Sequence, residues 1–166
     1  TSNNLKITNA TYAKFEETLV TMKIQMRTLR IPFWMVCGTL LGWYRQCHIT
    51  PYTTDMDFAT WSRYLGSNGP STEELKQLAP SHRLKLYYRF GEPNSTLEYS
   101  FYTTTFSGKV DLFFIYPNGT HYLVPIHEKP NYAYQFYPKY QLCSAVLLGH
   151  KLLMPCTPEE VIRVGM

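Results

Sequence analysis

Several signatures that would place a chain at a glance are missing here. No run of eighteen apolar residues occurs in the 166-residue sequence, which excludes a membrane-spanning helix, and no charged-then-apolar segment opens it as a signal peptide would. The four cysteines form no C-x-x-C pair and have no close histidine, so they do not make a zinc pattern. Blocks of Lys and Arg are absent and the formal charge is only +4, so the composition does not point to nucleic acid; a small anionic ligand fits it. Internal repeats, low-complexity tracts and interdomain linkers are also missing.

What is present is apolar and aromatic. With 45% hydrophobic and 16% aromatic residues, the chain can bury one sizeable core, and residues 1–166 read as a single domain. It opens on Thr1, which suggests a processed product or an excised domain. Three N-glycosylation sequons, at Asn9, Asn94 and Asn118, lean toward the secretory pathway. There Cys37, Cys47, Cys143 and Cys156 allow one or two disulfides in any of three pairings; buried free thiols suit Cys37 and Cys143 equally well.

Apolar residues Tyr12, Phe15, Leu19, Met22, Met26 and Leu29 recur at helical spacing, predicting an amphipathic helix from about Asn9, capped by Thr8 or Asn9 and ended by Pro32. Phe33–Cys37 reads as a short strand, Gly38 as a turn, and Leu40–Gln46 as a helix opening at Thr39. Met56–Thr60 reads as a strand, Ser67–Pro70 as a turn, and Ser71 as the start of a short helix. Leu84–Phe90, Thr96–Thr103 and Lys109–Tyr116 read as antiparallel strands, with His121–Ile126 as a further one. Asn131–Gln141 reads as irregular and Ala145–Met154 as strand or short helix; Thr157 caps a last helix with Pro158 at its first position. The pattern is α+β, a mixed sheet flanked by helices.

The chemistry lies in three short signals. Asp55 and Asp57 stand at i and i+2, so in a strand both point to one face with Cα atoms roughly 6.5 Å apart, within reach of one divalent cation. Oxygen ligands of this kind suit Mg²⁺ or Mn²⁺ held partly by substrate phosphates. An Asp-x-Asp by itself is more often a solvated acidic loop. Asp111 lies inside Val110-Asp111-Leu112-Phe113-Phe114, where burial of a carboxylate costs several kcal/mol unless it is paired or bound to metal; the competing reading is the solvated face of an edge strand. Gly38-Thr39, at a strand-to-helix junction, offers close backbone approach, helix N-terminal N–H groups and a hydroxyl for phosphate, or is merely a tight turn. Arg45, six residues on and about 9 Å along a helix, either reaches back toward a phosphate or faces solvent. Tyr132, Tyr134, Phe136, Tyr137 and Tyr140 suit packing better than stacking on a base or sugar. His121, His127 and His150 have no paired carboxylate or ligand spacing in the sequence.

Taken together, Ile31-Pro32-Phe33-Trp34 leading into Gly38-Thr39-Leu40-Leu41-Gly42-Trp43-Tyr44-Arg45-Gln46-Cys47, then Pro51-Tyr52-Thr53-Thr54-Asp55-Met56-Asp57 and Lys109-Val110-Asp111-Leu112-Phe113-Phe114, resemble the fukutin branch of the LicD family. The resemblance implies a nucleotidyltransferase-type fold and metal-dependent transfer of a phospho-alditol, ribitol 5-phosphate or a relative, from a CDP-linked donor to a glycan or glycoprotein hydroxyl. It also implies a Golgi or other secretory lumen, with a membrane anchor outside these 166 residues. The family carboxylates map onto Asp55, Asp57 and Asp111. Thr53-Thr54 stand where many relatives carry acids, and the closing Val164-Gly165-Met166 lacks a Tyr-Gly and Trp found in relatives, so part of the domain is expected to be missing at the C-terminus. A nucleotide-sugar glycosyltransferase also uses Asp-x-Asp, but too little chain precedes Asp55 for its nucleotide-binding half. A non-catalytic glycan- or partner-binding domain of the same fold is the other alternative.

Overall fold

The computed structural model describes residues 8–65, 84–103, 108–128 and 131–165; the expected turn at Ser67–Pro70 and the helix from Ser71 lie outside them. The chain runs α1 (Asn9–Thr28), β1 (Trp34–Met35), α2 (Cys37–Gln46), β2 (Asp55–Trp61), a 3-10 turn (Ser62–Tyr64), β3 (Leu84–Phe90), β4 (Glu98–Thr103) and β5 (Lys109–Asn118). It continues through β6 (His121–Glu128), β7 (Asn131–Pro138), β8 (Leu142–Leu147), β9 (His150–Pro155) and α3 (Pro158–Val164).

Helix α1 forms as its spacing predicts. Thr8 caps it, accepting from the Thr11 N–H, and Phe15, Leu19, Met22 and Met26 bury one face. The helix ends short of Pro32, because Arg30 already turns into the left-handed region at φ 57°. Helix α2 begins earlier than expected, at Cys37, which shortens the preceding strand to two residues and places Gly38 within the first helical turn.

The nine described strands join in the order β3-β4-β5-β2-β1-β9-β8, with β6 pairing the far end of β5 and β7 pairing β6. The β2–β5 and β1–β9 pairs are parallel and the others antiparallel, so the sheet is mixed and the fold is α+β. Along β2 and β5 the residues Met56, Phe58, Val110, Leu112 and Phe114 are fully buried. Period-2 alternation sends the residues between them, including Asp55, Asp57 and Asp111, to the opposite face.

Two expectations need correction. Asn131–Pro138 is a regular strand, β7, in register with β6 from Glu128↔Asn131 to His121↔Pro138; its alternating Tyr and Phe residues are the β pattern of a surface hairpin. Ala145–Met154 is neither one strand nor a helix but the β8–β9 hairpin, turned at Leu148-Gly149, both with positive φ. Cys143 is no buried thiol: it bonds Cys156 across the base of that hairpin, with Cα atoms 5.0 Å apart, while Cys37 and Cys47 are free. The tyrosines divide as packing predicts. Tyr140 is buried with Trp34, Trp61 and Tyr122, accepting from the Trp34 Nε1–H at 3.1 Å; Tyr134 and Phe136 stand exposed on the outer face of β7. His150 does meet a carboxylate, Glu16, at 3.1 Å.

Candidate active site

Parallel pairing of β2 with β5 builds the site. The register sets Asp57 beside Asp111 and Asp55 beside Lys109, so residues far apart in sequence become neighbours on one sheet face. One carboxylate oxygen from each of Asp55, Asp57 and Asp111 lies within 4.8 Å of the others.

Each carboxylate is held from behind. Asp57 Oδ2 accepts from the Gly38 N–H at 2.9 Å, and the Asp57 N–H donates to Thr39 Oγ1 at 2.8 Å, so the first turn of α2 grips this residue twice. Asp111 is 6% exposed; its Oδ1 accepts from the Ser100 hydroxyl at 2.5 Å and its Oδ2 from Lys109 Nζ at 2.8 Å. Lys109 Nζ also stands 3.9 Å from Asp55 Oδ2. The Thr53 hydroxyl donates to the Asp55 carbonyl at 2.8 Å and lies 3.3 Å from its Oδ1.

The crowding of negative charge is visible in the proton affinities. Burial, then the charges of Asp55 and Asp111, push the Asp57 carboxyl up to about 7, against the pull of the Gly38 and Thr39 bonds. Glu98, two residues before Ser100 on β4, is pushed up to about 8 by burial and by Asp111. Burial opposes the charge of the Lys109 ammonium, but its bond to Asp111 and the charges of Asp111, Asp55 and Glu98 outweigh that and raise it.

This arrangement fits a divalent cation. All three donors are hard oxygens, and an octahedral Mg²⁺ with bonds of about 2.1 Å spans roughly 4.2 Å between opposite ligands, so a spread of 4.8 Å needs only slight closure. The charge argues the same way, since among the described residues the one cation in contact with the three carboxylates is Lys109, which meets Asp111 and Asp55.

The Gly38-Thr39 pair does reach the site, but its N–H and hydroxyl engage Asp57 in this structure. Arg45 does not join them: it stands exposed in the last turn of α2, about 10 Å along the axis from Gly38. Ser100, Glu98 and Lys109 were not singled out from the sequence. Lys109, two residues before Asp111 in a strand, carried the only available signal, an i, i+2 opposite-charge pair on one face. Ser100 and Glu98 depend on the β4–β5 register, Ser100↔Asp111 and Glu98↔Phe113, which no local pattern specifies.

A mixed sheet with carboxylates on adjacent parallel strands, set against the first turn of a short helix, defines a nucleotidyltransferase-like domain. The family model described as LicD/FKTN/FKRP, nucleotidyltransferase domain, matches residues 30–157, and the chain belongs to this family. It is 31% identical over 142 residues to a human protein named ribitol-5-phosphate transferase FKTN, covering 84% of this chain and 29% of that protein. The mouse protein of the same name is 32% identical over 143 residues, with the same coverage. An uncharacterised protein of Caenorhabditis elegans is 36% identical over 135 residues, covering 75% of this chain and 33% of that protein. The chain thus spans about a third or less of the length of these relatives.

Proposed function

We propose that this chain is the catalytic domain of a transferase that moves a ribitol 5-phosphate or related alditol phosphate from a CDP-linked donor to a glycan hydroxyl. The observation that carries the reading is the convergence of Asp55, Asp57 and Asp111 within 4.8 Å in a domain whose relatives bear the name ribitol-5-phosphate transferase.

In this reading Asp55, Asp57 and Asp111 hold Mg²⁺ or Mn²⁺. The cation would neutralise the donor diphosphate and the charge developing on departing CMP. Gly38 and Thr39 fix Asp57, and Ser100 and Lys109 fix Asp111, so the carboxylates need little reorganisation when donor arrives. The acceptor oxygen forms a bond to the alditol-bearing phosphorus, the bond from that phosphorus to the bridging oxygen breaks, CMP leaves with that oxygen, and the hydroxyl proton passes to a carboxylate of the cluster. Positioning and electrostatics supply the catalysis.

A secretory compartment, the Golgi lumen for preference, suits the chain. The Cys143–Cys156 bond is of a kind that persists where the medium is oxidising, and the sequon residues Asn94 and Asn118 are exposed. Among the described residues no helix is long and apolar enough to cross a membrane.

The test is CMP release from CDP-ribitol, CDP-glycerol and CDP-choline by the full-length protein with a glycan acceptor, with and without chelator. Metal-dependent release that Asp55→Asn and Asp111→Asn each abolish is expected. Binding of a CDP-alcohol without turnover of any donor would instead favour a non-catalytic domain.

A further inference from the structure

A cavity of about 320 Å³ opens beside the carboxylates, walled by Cys37, Glu98, Phe113, Val124, Gln135 and Gly165 among others. Its floor is the sheet face that carries the site. Glu98 pairs with Phe113 one step beyond the Ser100–Asp111 pair, so its carboxyl lies on the same face as Asp111 and about 7 Å further along the strands. Its roof is the β6–β7 hairpin, where Val124 pairs with Gln135 and Tyr122 with Tyr137, both pairs on one face.

The polar groups are few and placed on opposite walls. Glu98 is 7% exposed, and Gln135 Oε1 accepts from the Tyr137 hydroxyl at 2.9 Å, which fixes the amide. Among the described residues no acceptor takes a hydrogen bond from the Gln135 amide N–H₂, so it can donate into the cavity. The remaining wall is mostly aliphatic, with Phe113 as its aromatic ring. A quaternary ammonium is held by several aromatic faces, which this wall does not provide. A polyol needs hydrogen-bonding groups on two sides of an otherwise dry pocket, and the volume stands at the lower end of the range for small-molecule sites, about 300–1,000 Å³.

We infer that this cavity is a polyol pocket, holding the alditol of the transferred group, and that Glu98 and Gln135 read its hydroxyls and so set donor specificity. The inference rests on the transferase reading above. It makes β7 a specificity element. It also gives Gly165 a role, because a Cβ there would come within 3.0 Å of the Tyr137 hydroxyl that orients Gln135.

The experiment compares kcat and KM of the full-length protein for CDP-ribitol, CDP-glycerol and CDP-choline in wild type, Glu98→Gln and Gln135→Leu. Wild type should prefer the polyol donors. Each variant should raise KM for CDP-ribitol about tenfold, the worth of one hydrogen bond, and narrow the preference over CDP-choline, while Gln135→Leu, which touches none of the three carboxylates, keeps the Mn²⁺ affinity of wild type. A wild-type preference for CDP-choline, or a donor preference unmoved by Gln135→Leu, overturns the pocket while leaving the transferase reading intact. If no donor is turned over, calorimetry with ribitol 5-phosphate still decides: binding that Gln135→Leu weakens supports the pocket, and no binding to wild type overturns it.

Discussion

Gly38 donates its backbone N–H to Asp57 Oδ2 at 2.9 Å, and a Cβ built on Gly38 would stand 3.1 Å from that same oxygen. The glycine is therefore required by the carboxylate more than by the turn. Gly38→Ala should push Asp57 aside by a few tenths of an ångström and lower kcat about tenfold to a hundredfold, with the thermal midpoint nearly unchanged. A fully active, equally stable variant would show that the placement of Asp57 does not limit turnover.

Lys109 bridges Asp111 and Asp55 at 2.8 and 3.9 Å, the positions a bound cation would neutralise. Removing it leaves the carboxylates facing each other. Lys109→Met should lower the thermal midpoint of the chelator-treated protein and enlarge the rise in midpoint when Mg²⁺ is added. Scanning calorimetry with and without Mg²⁺ measures both, and an unchanged Mg²⁺ increment would refute the charge-balancing role.

Stability of the chelator-treated protein should fall as pH rises. The folded state holds protons on Asp57 up to about 7 and on Glu98 up to about 8, whereas the unfolded chain releases them near the ordinary carboxylate value. Their contribution is complete below about pH 4, shrinks above it, and is lost once pH has passed through 7 to 8. A midpoint several degrees lower at pH 8.5 than at pH 5.5 is expected, with Mg²⁺ restoring more at the higher pH. A flat profile would contradict it.

The Cys143–Cys156 bond closes a loop of sequence separation 13 around the β8–β9 hairpin, whose β9 is the parallel neighbour of β1. Replacing both cysteines by serine should cost about 3 kcal/mol on urea unfolding. Metal-dependent turnover should survive at temperatures where the variant stays folded, because the carboxylates sit on β2 and β5.

The first helix was legible because its apolar spacing and Thr8 cap are local, and β2 and β5 because β-branched, aromatic and alternating residues fill them. Strand β7 was not. Its tyrosines read as loop packing, and only the pairing with β6 sets them in a strand that buries Tyr137 and leaves Tyr134 and Phe136 exposed on the other face. Arg45 stands exposed in the last turn of α2, the solvent-facing one of the two placements that its position in the sequence allows.

By itself the sequence determined the three carboxylates, their strand settings and the family, because residue type, i, i+2 spacing and motif order are local properties of the chain. Only the tertiary structure decided that Asp57 and Asp111 are neighbours, that Gly38 and Thr39 serve Asp57, and that Glu98 and Gln135 face one cavity. Those relations are set by strand register and hairpin docking, which depend on burying Met56, Phe58, Val110, Leu112 and Phe114 together on the far face of the sheet.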